Sequence, residues 1–145
     1  MNNANEMNQL LPGQPLRVGV DLIADKHSGA LIVIGTSNKL DKISSGGINL
    51  IDCAYSPEML SELSKMDGAI IVSGDVTKIL KANVHLNPSD SLSTSQTGTR
   101  HRTAERTAEE TDLTVITVSE ESSLVKVFNN SGTTELEEPS VILGR

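Results

Sequence analysis

Three of the five arginines in this chain stand within seven residues, at Arg100, Arg102 and Arg106, although the formal net charge is -7. A Gly-Thr pair, Gly98 and Thr99, precedes them, and alanines follow at helical spacing. This pattern predicts a loop that leads into a helix N-terminus, where free backbone N–H groups and the helix dipole favour an anion. Since guanidinium groups bind phosphate oxygens in pairs, the run predicts a phosphate site.

The alternative for this arginine run is a solvated, positively charged helix end. Arginine normally favours the C-terminus of a helix, so two arginines at a helix start are unfavourable unless an anion faces them. This local conflict favours a functional site. His101 lies between Arg100 and Arg102 and has two equally weighted interpretations: it donates to a phosphate, or it braces the loop.

Two acidic segments form a second group of candidates. Asp67 and Gly68 stand where a predicted helix gives way to a predicted strand, and a carboxylate there can hold a hard divalent cation that also contacts phosphates. Taken alone, an Asp-Gly pair more often marks a simple turn. Ser119, Glu120 and Glu121 follow another predicted strand and offer a further metal or phosphate contact, although sequence alone favours a polar loop there.

The bulk composition narrows the class of protein. With 145 residues and 37% apolar residues, the chain suits one domain with an aliphatic core. Tyr55 and Phe128 are the only aromatic residues of the Phe, Trp and Tyr group, so a base-stacking platform is excluded, and the acidic balance argues against DNA binding. One cysteine fits a reducing cytoplasm. No apolar run approaches the ~20 residues that span a bilayer, so no membrane association is expected.

Apolar periodicity and turn residues predict alternating helices and strands, which is typical of a single layered α/β domain with a central mixed sheet flanked by helices. Residues 1–14 are predicted to be a partial helix or disordered, and residues 15–145 to form the domain. The predicted helices cover 15–26, a segment from Ser56 to Asp67-Gly68, and 100–110. The predicted strands cover 30–34, 48–53, 69–72, 78–86, 113–118, and a hairpin of 124–128 with 133–136. Loops are predicted at 35–47 and 87–99.

Three segments together resemble the diadenylate cyclase domain family, in its DNA-integrity scanning branch. They are Lys65–Ile71, Ala82–Pro88 and Thr97–Arg106. The first contains the DGA signature of the family and the third contains its RHR signature, in the expected order. Jointly these motifs are highly specific, and the similarity runs from about Leu16 to Phe128.

The resemblance implies that two ATP molecules are condensed into cyclic di-AMP, with Mg or Mn as the divalent cation. It implies that Asp67 binds the metal and helps to activate the ribose 3′-hydroxyl, and that Glu120 is a second metal ligand. The remaining implied contacts are to the nucleotide: Gly68 and Ala69 beside it, Leu86 at the adenine, Gly98, Thr99, Arg100, His101 and Arg102 at the triphosphate, and Ser119 at the terminal phosphates. Asp67, Arg100, His101 and Arg102 are the implied catalytic set.

The implied reaction needs two nucleotides, and each subunit would hold one of them. The expectation is therefore a homo-oligomer with facing active sites, either a dimer or an assembly as large as an octamer. Acidic Glu120 and Glu121 stand where scanning relatives often carry basic residues, and no helical spine or DNA-binding module follows. The chain is thus expected to be an excised catalytic domain or a minimal cyclase. The alternative function is a module that binds ATP or cyclic di-AMP without turnover.

Overall fold

A mixed β-sheet forms the centre of the computed structural model, which describes residues 7–136. Within that range the sheet has eight strands in the order β2-β5-β4-β1-β6-β7-β8, and β3 also pairs with β5. β1 and β4 run parallel, whereas the other pairs are antiparallel. The strands are β1 Ala30–Ile34, β2 Ser44–Ser45, β3 Ile48–Asn49, β4 Ala69–Val72, β5 Ile79–Leu86, β6 Thr114–Val118, β7 Val125–Asn129 and β8 Gly132–Leu136.

Helices cover both faces of this sheet, so the predicted layered α/β architecture is confirmed. The helices are α1 Pro15–Asp25, α2 Asn38–Ile43, α3 Pro57–Leu63 and α4 Thr99–Thr111. α1 and α3 supply Leu16, Val20 and Leu60 to one apolar cluster against the sheet. α2 and α4 supply Leu40 and Ala104 to a second cluster. Two cores on opposite faces explain why the central strands are continuous apolar runs.

The predicted central strands and the capped helix are confirmed. In β1, Ile32 and Ile34 belong to one core and Val33 to the other, as expected for a strand buried on both faces. The Ser56 side chain accepts a hydrogen bond from the Met59 backbone N–H at 3.0 Å, and a proline follows at the first helical position. The hairpin of β7 and β8 also forms where it was predicted.

Residues 35–47 are not the loop that the sequence predicted, because they contain α2 and β2. Ser37 caps α2 by accepting a hydrogen bond from the Leu40 N–H at 3.1 Å. Leu40 and Ile43, three residues apart, then bury one face of this short helix. A serine cap followed by two apolar residues at helical spacing was the signal that the prediction missed.

Two further boundaries differ from the prediction. The strand predicted over 48–53 stops at Asn49, and Asp52 has a left-handed backbone with φ of 51° that turns the chain away from the sheet. α3 ends at Leu63, because the backbone N–H groups that follow Ser64 bond three residues back, from Lys65 to Glu62 and from Met66 to Leu63. These tighter turns replace the last helical turn.

Within the segment predicted as partly helical or disordered, residues 7 and 8 are helical, and residues 9–14 form turns that place Leu10 in the core, where it is 2% exposed. The Arg17 guanidinium donates to the Leu10 carbonyl at 2.8 Å and pairs with Asp21. Residues 1–6 of that segment, and residues 137–145 of the predicted domain, lie outside the described residues.

Candidate active site

Two adjoining pockets share Asp67 and Arg100 in their walls. The first, of about 340 Å³, has Leu31, Ala69 and Leu86 among its apolar lining. The second has a volume of about 280 Å³. Besides the residues already named, the first pocket is lined by Gly68, Val84, His85, Thr99 and Thr103, and the second by His27, Ser28, Gly29, Ser64, Lys65, Met66 and Glu120. The arrangement joins an apolar recess to a charged, polar one.

The sheet brings these segments together at one edge. β1 and β4 are parallel, so the residues that precede them, Gly29 and Asp67, lie at the same end. β5 and β6 run in the opposite direction, and their last residues therefore end at that edge, as the pairs Ala69 with Val84 and Ala30 with Val118 show. The N-terminus of α4 completes the edge. The directions of the strands and the position of the α4 N-terminus thus bring together residues that are far apart in the sequence.

Arg100 extends across the start of β1. Its guanidinium lies against Gly29, where an added Cβ would come within 2.7 Å of the guanidinium carbon. Arg100 lies in the first turn of α4, which begins after Gly98 with φ of 88°. A positive φ of this size suits glycine, so the abrupt entry to the helix depends on it. The guanidinium therefore lies against the residue directly before β1, and it lines both pockets together with Asp67.

The other two arginines of the run contact the loop before α4. The Arg102 Nε donates to the Gln96 carbonyl at 3.2 Å, and the Arg106 Nε donates to the Leu92 carbonyl at 2.9 Å. Residues two apart on a helix point about 200° away from each other, so Arg100 and Arg102 leave α4 in different directions. The three arginines do not form one cluster, contrary to the simplest interpretation of their spacing.

His101 packs against the sheet through its ring. Its ring centroid lies 6.4 Å from that of Phe128, in an edge-to-face arrangement. Burial lowers the pKa of His101 below its usual 6.5, and the positive charges of Lys126 and Arg100 lower it further. The imidazole is therefore held in its neutral form near neutral pH. This packing supports the bracing interpretation, and contact with a phosphate stays a prediction.

The lowered pKa of His101 predicts a pH-dependent part of the stability. In the unfolded chain the His101 imidazole binds a proton below about pH 6.5, whereas in the folded chain its lowered pKa disfavours protonation. The free energy of unfolding therefore decreases as pH falls through that range. Replacing His101 with glutamine removes this contribution. When the pH is lowered from about 7.5 to about 5.5, we expect the melting temperature to decrease less in the His101→Gln variant than in the natural chain. An equal loss in both proteins would contradict the assignment.

Gly68 is required by the packing of β4 against β5. Its backbone N–H donates to the Asn83 Oδ1 at 2.9 Å, and an added Cβ would come within 2.7 Å of both the Asn83 Cα and the Val84 nitrogen. The expectation from the sequence was that this glycine lies beside a nucleotide. It does line the first pocket, but close approach of the neighbouring backbone is a sufficient reason for glycine here.

This packing predicts that Gly68→Ala lowers the free energy of unfolding by about 1–3 kcal/mol, the usual cost of overpacking against rigid neighbours. Denaturant titration measures the change. Gly29→Ala is the matched control, since its crowding atoms belong to the end of a flexible side chain that can move away. Equal stability losses in the two variants would show that the backbone contact at Gly68 is not the cause.

Ser119 and Glu120 begin the turn after β6. The Ser119 carbonyl accepts from the Ser123 N–H at 2.8 Å, and the Ser119 Oγ lies 3.4 Å from the Ser122 nitrogen. Glu120, the next residue, lines the second pocket with Asp67. Residues 7–136 contain no group of three or more His, Cys, Asp or Glu side chains arranged to hold a metal. Two carboxylates are nevertheless sufficient for Mg²⁺ when substrate phosphates and water complete its shell.

The family model described as DisA bacterial checkpoint controller nucleotide-binding, the DAC domain, matches residues 17–133. The chain belongs to this diadenylate cyclase domain family. The DNA integrity scanning protein DisA of Fusobacterium nucleatum is 50% identical over 123 residues, covering 85% of this chain and 35% of that protein. DisA of Clostridium tetani is 46% identical over 139 residues, covering 96% and 38%. The chain therefore spans less than two-fifths of these curated relatives.

Solved structures show the same diadenylate cyclase domain fold. A double mutant of DacA from Staphylococcus aureus superposes with a TM-score of 0.70 and 30% identity, covering 97% of this chain and 93% of that one. A hypothetical membrane spanning protein from Bacillus cereus superposes with a TM-score of 0.72 at 22% identity, covering 85% and 62%, which shows the fold alone. In this chain no helix within residues 7–136 is long and apolar enough to cross a membrane.

The sequence did not single out several residues that the fold brings to this candidate site. Gly29 lies between the helix predicted over 15–26 and the strand predicted over 30–34, and its position directly before a buried strand was the available signal. Asn83 stands inside an otherwise strand-forming run, where asparagine is disfavoured, and that departure marks a special backbone conformation. Leu31 and Thr103 line the first pocket, but no local pattern distinguishes them from core residues.

Proposed function

We propose that this chain condenses two ATP molecules into cyclic di-AMP and releases two pyrophosphates. The observation that carries the proposal is the shared position of Asp67 and Arg100 in the walls of two adjoining pockets. An acid and a guanidinium that line the same pockets suit a reaction in which a hydroxyl is activated close to a phosphate. Membership of the diadenylate cyclase domain family supports this substrate and product.

The two pockets suit different parts of ATP. Leu31, Ala69 and Leu86 give the first pocket an apolar lining for an adenine ring, which matters because no Phe, Trp or Tyr is among the residues that line this pocket. Arg100 and the N-terminus of α4 present positive charge to the phosphates. Thr99 and Thr103, one turn apart on α4, add hydroxyl groups to the same wall.

Asp67 and Glu120 are the residues that would hold a divalent cation. Both are exposed side chains, and both line the second pocket, so their oxygens match the hard ligands that Mg²⁺ and Mn²⁺ prefer. When bound, such an ion would lower the pKa of the attacking hydroxyl and screen the phosphate charge. His27 lines the same pocket, but its Nδ1 lies 3.2 Å from the Ser123 Oγ.

In the reaction, the 3′-hydroxyl oxygen of one ATP attacks the α-phosphorus of the other. The new P–O bond forms as the bond to pyrophosphate breaks, and the hydroxyl proton passes to the Asp67 carboxylate. The second ATP reacts in the same way in the opposite direction, so that two P–O bonds form and two pyrophosphates leave. Asp67 holds the 3′-hydroxyl through a hydrogen bond to its carboxylate. Arg100 binds phosphate oxygens and stabilises the negative charge that develops on the leaving pyrophosphate. Catalysis of this kind relies mainly on positioning and charge stabilisation.

One subunit supplies one nucleotide site, so two subunits must face each other with their pockets opposed. A two-fold axis satisfies this requirement, because each 3′-hydroxyl then meets the α-phosphate of the nucleotide across the interface. Activity per subunit should consequently fall when the protein is diluted below the dissociation constant of the dimer.

The test is a chromatographic product assay with ATP and either Mg²⁺ or Mn²⁺, repeated with a chelator and over a dilution series. Metal-dependent cyclic di-AMP whose yield per subunit falls on dilution supports the proposal. ATP binding without product, in protein that sediments as a dimer, would favour the alternative of a nucleotide receptor. If the chain neither binds ATP nor forms cyclic di-AMP, both functions are refuted.

A further inference from the structure

We propose that Asn83 is a positioning residue that fixes the backbone beside Asp67 and so aims the Asp67 carboxylate at its reactant. The expected effect on catalysis rests on the proposed function, whereas the hydrogen bond between Asn83 and Gly68 can be tested without it. Asn83 lies in the middle of β5, on the strand next to the one that Asp67 precedes. Its side chain reaches this segment through the backbone N–H of Gly68, the residue after Asp67.

A β-bulge in β5 places Asn83 in this role. Ala69 pairs with Val84 and Ile71 pairs with Lys81, so β5 fits one more residue than β4 into the same interval. Asn83 lies in that interval with φ of 57°, a left-handed conformation that asparagine tolerates better than most residues. A bulge of this kind redirects a side chain relative to the regular strand.

The redirected Asn83 side chain forms a hydrogen bond with the peptide bond that follows Asp67. The Asn83 Oδ1 accepts a hydrogen bond of 2.9 Å from the Gly68 N–H, and this N–H belongs to the peptide bond that joins Asp67 to Gly68. Fixing that peptide plane limits the directions in which the Asp67 side chain can leave the backbone. The absence of a Cβ at Gly68 lets the two strands approach closely enough for this bond.

The bulge is also supported from the other side of β5. Gly47, with φ of 87°, lies against this segment, and a Cβ there would come within 2.8 Å of the Ala82 carbonyl oxygen. Ile48 then pairs with Ala82, and Ser45 pairs with His85. A glycine therefore lies against the bulge on each side of β5, Gly47 between β2 and β3 and Gly68 directly before β4, which leaves the Asn83 backbone little room to change.

Asn83 is thus expected to affect turnover more than substrate binding. Asp67 acts on the attacking hydroxyl in the proposed mechanism, whereas Arg100 and the N-terminus of α4 bind the phosphates. A small error in the direction of the carboxylate should lower kcat and leave the KM for ATP nearly unchanged.

The experiment compares two variants that separate the side chain from the backbone. Asn83→Gly keeps the left-handed conformation accessible and removes the acceptor, whereas Asn83→Asp keeps an acceptor. We expect Asn83→Gly to lower kcat about tenfold with a KM for ATP within about threefold of the natural value, and Asn83→Asp to recover at least about a third of the natural kcat. Hydrogen exchange should show the Gly68 amide exchanging faster in Asn83→Gly by about tenfold or more.

Two results would overturn the proposal: a natural kcat in folded Asn83→Gly, or an equal loss of kcat in both variants. If the natural chain makes no cyclic di-AMP, the proposed function fails, and the exchange measurement then decides the structural part by itself. Faster exchange of the Gly68 amide in Asn83→Gly would support the contact, and unchanged exchange would refute it.

Discussion

Replacing Asp67 with asparagine is expected to lower the rate of cyclic di-AMP formation at least about 1,000-fold. The change keeps the size of the side chain and removes its charge, so it deprives the attacking hydroxyl of its acceptor and the cation of a ligand. Asp67 is exposed at the pocket wall, and among the described residues none donates a hydrogen bond to its carboxylate. The fold should therefore be unaffected, and the loss should appear in kcat.

The matched control for this variant is Asp52→Asn. Asp52 is also an exposed aspartate, it has a left-handed backbone that asparagine tolerates, and its ion pair with Lys78 is long at 3.7 Å. This control should keep the natural rate. Quantifying product by chromatography and checking melting temperature in both variants separates chemistry from folding. Turnover by Asp67→Asn near that of the control would refute the assigned role of Asp67.

The main features of this fold follow from the sequence because its strands and helices carry strong local signals. Ala30–Ile34 and Ala69–Val72 are apolar runs of strand length, and the fold buries both on two faces. Ser56 and Pro57 start a helix for reasons that operate within one turn. The two-residue strand β2 was not predicted and β3 was predicted too long, since such short strands exist only through pairing with β5.

The candidate site was only partly predictable, because sequence motifs report residue types and not directions. The run that contains Arg100 and Arg102 suggested a single phosphate-binding cluster. In the structure the helical rotation between them directs Arg102 to the Gln96 carbonyl, while Arg100 crosses to Gly29. The contacts of Gly29 and Asn83 depend on which strands are neighbours, and nothing local in the sequence encodes that order. Whether Arg102 also binds phosphate stays a prediction.

The contact between Gly29 and Arg100 gives the second large prediction, that Gly29→Ala lowers kcat/KM for ATP about 100-fold. The added methyl group would occupy the space of the Arg100 guanidinium, with its Cβ within 2.7 Å of the guanidinium carbon. The side chain must then swing away from the wall that it shares with Asp67. Since the crowded atoms end a flexible side chain, the protein should stay folded with a change in stability below about 1 kcal/mol.

Two comparisons assign this loss to Arg100. Arg100→Ala should lower kcat/KM at least as much as Gly29→Ala, and the double variant should be no worse than Arg100→Ala alone, because both changes remove the same guanidinium. Ala30→Gly, at the neighbouring position in the core, should lower stability without this loss of kcat/KM in the folded protein. Additive effects of the Gly29 and Arg100 substitutions would mean that Gly29 acts on the nucleotide independently. Non-additivity would instead establish that a glycine with no polar side chain controls the position of the phosphate-binding group.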